Sequence, residues 1–189
     1  VRRWQWAVVL WITVDLLVAG WGLNPGIELG FYTKTSPNES SVSSMVAEGR
    51  ALIPVEDEDS IKYDQYFIFE TFDPGKDWYE LRGTFLPNLN ALSEIPMVNN
   101  YDPMVPGRYA RWMEEISGSN LQLRDDLLDL MAVSVIQTED TTGDFGVQFE
   151  PRVSASRVRW VPCAEVVAGE DAAFELVFSG SMDLNTTVI

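Results

Sequence analysis

Residues 4–23 read WQWAVVLWITVDLLVAGWGL, twenty mostly apolar residues in a row. A helix needs about that many to cross a bilayer core roughly 30 Å thick. Arg2 and Arg3 stand just before the run, and no basic residue follows until Lys34. Trp4, Trp6 and Trp21 lie near its two ends, where interfacial aromatics collect. The expectation is a membrane-spanning helix over residues 1–23, its N-terminal end in the cytoplasm and the rest of the chain outside. Two other readings compete: a cleaved signal peptide, and a buried core helix of a soluble fold. Against the signal peptide, no small-x-small cleavage site follows, the chain begins at Val1, and Asp15 sits inside the run. A lone carboxylate is costly in lipid unless it faces protein or water. Asp15 therefore suggests packing among other helices, and hence a piece of a longer, multi-span protein.

Charge limits the partners. Acidic residues outnumber basic ones 29 to 13, a formal charge of −16. Such a surface repels phosphate backbones, which argues against nucleic acid and favours a neutral or cationic ligand. There is no His, so the commonest general base and zinc ligand is missing. The single Cys163, in a Val-Pro-Cys-Ala setting, reads as a small buried residue. No cofactor, metal centre or catalytic residue is implied. Asn-x-Ser/Thr sequons occur at Asn38 and Asn185.

Beyond residue 23 about 165 residues remain, enough for one domain with its own core. Residues 24–44, rich in Pro, Ser, Thr and Asn, read as an exit loop and tether, and residues 45–189 as the domain. Residues 41–48 suit a short helix ended by Gly49, and residues 50–55 a strand. The acidic run 56–59 reads as a solvated loop, and the aromatic stretch 63–72 as a strand. Asp77 can cap a helix carrying Trp78, Leu81 and Phe85, bent or broken at Pro87. Pro106 suits the start of a helix over residues 107–116, with Tyr109, Trp112, Met113 and Ile116 on one face. Asn120 begins another helix, leading into a buried strand over residues 133–138. Residues 147–149 and 158–161 are expected to pair as antiparallel strands, with a further strand at 165–167. A helix over residues 170–178 and a final strand that the chain end cuts short complete the pattern. The fold class is α+β, with mixed α/β possible: one globular domain preceded by a single transmembrane helix.

Five stretches, in order, resemble the YfhO-like family of bacterial multi-span membrane proteins. They are residues 15–25 (DLLVAGWGLNP), 86–90 (LPNLN), 99–103 (NNYDP) with Arg108 and Tyr109, 128–135 (LDLMAVSV), and 161–167 (VPCAEVV) with residues 172–183. Cys163 stands where the family more often has Arg, so no role for that arginine carries over. The family is related to membrane-embedded glycosyltransferases that use lipid-linked sugars. The resemblance implies that the whole protein transfers sugars to a cell-surface polymer. The acids of such transferases lie in loops between early membrane helices, so this stretch would be the non-catalytic extracytoplasmic part. Implied partners are membrane lipid, the rest of its own multi-span protein, and a lipid-linked sugar or glycan acceptor.

Asn99, Asn100, Tyr101, Asp102, Arg108 and Tyr109 gather amides, rings, a carboxylate and a guanidinium within eleven residues. Such a mixture can stack on a sugar face and hydrogen-bond its hydroxyls, and it is the expected ligand-binding cluster. The competing reading is structural: Asp102 caps a turn before Pro103 and pairs locally with Arg108. Asp15, Pro87 and Asn88 are expected to act structurally, the latter two as a kinked helix end. Residues 56–59 lack the spacing of an EF-hand loop. A free-standing, membrane-anchored binding module and an Asp/Glu hydrolase are the remaining readings.

Overall fold

A computed structural model describes residues 3–20, 28–67, 77–99, 104–140, 142, 146–153 and 156–189. The first helix, α1 (Arg3–Gly20), is apolar around its whole circumference, and none of its residues is buried. Its 18 residues make a rod of roughly 27 Å at the α-helical rise. Among the described residues no helix is long and apolar enough to cross a membrane. Within the expected span over residues 1–23 the described part is this helix, which carries Arg3 and Asp15, and residues 1–2 and 21–23 lie outside the described residues.

The segment expected as a tether is docked onto the domain. It contains α2 (Gly30–Thr33) and α3 (Glu39–Val46). The Ser36 hydroxyl donates to the Arg82 carbonyl at 3.1 Å, and Asn38 Nδ2 donates to Gly83 O at 2.9 Å. Arg82 holds the same segment from below. Only 2% exposed, it donates through Nη1 to the carbonyls of Phe31 and Lys34. Its guanidinium also lies 5.7 Å from the Phe31 ring centre.

A three-stranded sheet forms the middle of the domain, in the order β1-β2-β3. β1 (Arg50–Leu52) runs parallel to β2 (Val133–Glu139), and β3 (Val147–Pro151) runs antiparallel to β2. The register sets Ala51 against Val135 and Gln137 against Phe149. Val42 and Val46 of α3 pack with Ala51, Phe85 and Val135. Leu52 and Val133 meet Leu128 of α7 (Leu121–Leu130). At Gly49 the chain passes so close to β2 that a Cβ would stand 2.3 Å from the Ser134 hydroxyl.

Several elements follow the sequence expectation. Asp77 caps α5 (Trp78–Gly83) by accepting from Tyr79 N–H at 2.9 Å. Asn120 caps α7 by accepting from Leu123 N–H at 3.1 Å. α6 (Gly107–Gly118) starts directly after Pro106 and buries Ile116, with Trp112 and Met113 half-buried against the same cluster. α8 (Glu170–Phe178) lies where expected, between the short parallel strands β4 (Cys163–Ala164) and β5 (Thr187–Val188).

Others differ. The acidic run is helical: α4 (Val55–Ser60) begins after Pro54, and Glu56, Asp57 and Glu58 fill its first turn, where the helix dipole favours carboxylates. The chain then continues as a π-helical turn, Ile61–Tyr66, where a strand was expected. Phe67 N–H bonds to Lys62 O, five residues back, at 2.7 Å. That wider turn lets Ile61 and Tyr66, also five apart, both be buried in one cluster. Residues 68–76, the rest of the expected strand, lie outside the described residues. β3 pairs with β2 instead, from Val135–Pro151 to Glu139–Val147, and residues 158–161 form no strand. Cys163, expected buried, is exposed on the two-stranded β4–β5 ribbon. Pro87 is buried in a turn after α5, and Asn88 is exposed with a left-handed φ of 76°. The helix therefore ends four residues before the proline instead of bending through it.

Candidate functional site

Of the six residues expected to bind a ligand, the described structure contains Asn99, Arg108 and Tyr109. Asn100, Tyr101 and Asp102 lie outside the described residues. Asn99 continues the pairing at the free edge of β1. The backbone there already bonds to residues 96–98: Ala51 N–H to Pro96 O at 2.9 Å, and Val98 N–H to Ala51 O at 2.8 Å. The Asn99 amide supplies the next rung. Its Oδ1 accepts from Ile53 N–H at 2.8 Å, and its Nδ2 donates to Ile53 O at 2.8 Å and to Glu58 Oε2 at 3.4 Å. Both ends of the amide are thus committed to protein.

Tyr109 is half-buried on α6 and donates its hydroxyl to Val98 O at 2.5 Å. Burial first, and then the Glu58 carboxylate, push its ionisation above the usual phenol range, against a smaller pull from Arg50. It stays a neutral hydrogen-bonding group near pH 7. Arg108 points elsewhere. Its Nε pairs with Glu170 of α8 at 2.5 Å, with the two side chains 80% and 55% exposed. The pairing expected with Asp102 lies outside the described residues; the partner that is described sits on a different helix.

Between α4 and α6 runs a cleft of about 520 Å³, within the usual size of small-molecule sites. Asn99 and Tyr109 line its wall beside Val55, Val105 and Met113. Glu56, Glu58, Asp59 and Glu114 supply its polar atoms, and Lys62 pairs with Glu58. A lining so rich in carboxylate accepts hydrogen bonds and suits a ligand with donor groups or positive charge. Among the described residues no group of three or more Asp, Glu or Cys is placed to hold a metal ion.

Sequence reasoning missed Arg82 and Gln137. Both are buried polar side chains that hold backbone across the fold, Gln137 by donating from Nε2 to Thr84 O. Nothing in the local pattern marks them, because their partners are 50 or so residues away. It also missed the ion pairs of Arg108 and Arg111 with Glu170 and Asp171, which tie α6 to α8.

Compared with known proteins, the chain matches no family model, no curated protein and no solved structure.

Proposed function

We propose that the chain is a non-catalytic extracytoplasmic domain of a bacterial multi-span membrane protein, held by α1 among other helices, and related in role to cell-surface glycosyl transfer. The observation that carries the membrane part is α1 itself. Trp11 is 76% exposed, Leu16 66% and Val18 70%, and no residue of the helix is buried. A helix apolar on every side belongs in a protein core or in lipid. Covering its Val, Leu, Ile and Trp side chains is worth on the order of 15–30 kcal/mol, at about 1.5–3 kcal/mol each. Asp15 costs roughly 3 kcal/mol at a bilayer centre, far too little to reverse that sum. In the sequence, Trp21, Gly22 and Leu23 continue the apolar run past Gly20. The glycosyl-transfer part leans on the motif resemblance alone.

The committed Asn99 amide shapes the wall of the acidic cleft, and the neutral Tyr109 hydroxyl is held on the Val98 carbonyl beside it. Expression of the full chain in bacteria tests the proposal. Membranes washed with alkaline carbonate should retain it, and protease added outside the cells should cut it. Recovery as a soluble monomer, or protection from outside with cleavage from the cytoplasmic side, would reject the reading.

A further inference from the structure

The face of α6 away from the acidic cleft carries chemistry of the opposite sign. Two further clefts, of about 370 and 350 Å³, are both lined by Arg108 and Trp112. The first adds Arg50, Met97 and Met131. The second is an apolar trough between α6, α8 and β5, walled by Phe174, Val177, Met182, Leu184, Val188 and Ile189. We infer that this groove binds a single-chain anionic amphiphile, its head between Arg50 and Arg108 and its tail in the trough beside α8.

Three observations carry this. First, the two arginines gather at one cleft in a chain of net charge −16. Arg50 makes no ion pair among the described residues. Arg108 holds Glu170 only through a solvent-exposed pair, which is worth at most about 1 kcal/mol and leaves most of its five N–H donors for an incoming anion. Second, the Trp112 side chain, an apolar ring half-buried on α6, lines both clefts. Third, the trough is apolar and adjoins the charged cleft, with Arg108 and Trp112 lining both. A free anion leaves the trough unused, and a neutral chain leaves the arginines unused. The inference does not depend on α1 lying in lipid.

The test uses the full chain in phosphatidylcholine nanodiscs and decyl phosphate carrying a photoreactive diazirine near the chain end. Crosslinks are expected in peptides covering residues 170–189. Arg50→Gln and Arg108→Gln should each lower labelling about tenfold, the share one charge-assisted hydrogen bond carries. Ala173→Trp fills the trough without changing charge and should abolish labelling, with the far-ultraviolet circular dichroism unchanged. Arg50 and Arg108 are exposed, so their variants keep the test open should Ala173→Trp fail to fold. Equal labelling by diazirine-tagged decanol, or labelling confined to α1, would overturn the inference. Displacement by an equal concentration of inorganic phosphate would also overturn it, leaving a plain anion site. Labelling confined to α1 would leave the membrane reading standing, whereas failure of membrane retention would leave the groove standing.

Discussion

Replacing Asn99 separates a structural amide from a ligand-binding one. Asn99→Ala removes two 2.8 Å bonds to the Ile53 backbone and one 3.4 Å contact to Glu58. Ile53 is itself fully buried, so its N–H and C=O would be left without partners in a place water reaches poorly. Each orphaned group costs roughly 1–3 kcal/mol, and partial access to water at Asn99 favours the lower half of that range. The expected loss is about 2–4 kcal/mol, which for a chain of this size lowers Tm by roughly 4–16 °C. Asn99→Asp should be worse than alanine near neutral pH. One carboxylate oxygen can still accept from Ile53 N–H, but the other would face the Ile53 carbonyl and the Glu58 carboxylate. Thermal unfolding of both variants, followed by circular dichroism, measures this. A loss within about 0.5 kcal/mol for both, as at an ordinary surface position, would refute the structural assignment and return Asn99 to the ligand.

Two further predictions concern packing and pH. Gly49→Ala places a methyl against the Ser134 side chain and the Ala132 carbonyl, 3.0 Å away. Overpacking of that kind should cost about 1–3 kcal/mol in urea unfolding, and an unchanged midpoint would contradict the close approach. Tyr66 is fully buried, and burial, helped by Glu80, raises its ionisation from 10.0 to about 12. Because the folded value lies above the unfolded one, its contribution is fully present below pH 10 and is lost as pH rises toward 12. Stability should fall there with a slope approaching 1.4 kcal/mol per pH unit from this residue, and Tyr66→Phe should flatten it. Equal slopes for both proteins would contradict the burial.

How much of this was legible in the sequence depended on the range of the interaction. The caps at Asp77 and Asn120, the Pro106 helix start and the apolar face ending at Ile116 are local, and each appears as read. The acidic run was misread because side-chain charge suggested solvent. Its place behind Pro54 and the Glu58–Lys62 pair make those residues a good first turn instead. The aromatic stretch looked alternating, yet Ile61 and Tyr66 are buried together by a π-helical turn, which has no simple periodic signal. The pairing of β3 with β2 left residues 158–161 without the role assigned to them, since strand choice is set by a ladder the sequence does not display. In the candidate site, Asn99 and Tyr109 do meet at one cleft, but the ties that fix them run to Ile53 and Val98. The buried Arg82 and Gln137 became visible only with the fold, because their partners lie far off along the chain.

The account turns on what surrounds α1. A nitroxide attached at Leu16→Cys, in a chain whose Cys163 is replaced by Ser, reports that environment once the full protein is reconstituted in phosphatidylcholine vesicles. Leu16 is 66% exposed on a helix with no buried residue, so the label should collide freely with oxygen and be shielded from a water-soluble nickel chelate. Ready access to the nickel chelate, matching that of a label at the exposed Cys163, would put α1 in water and contradict the account.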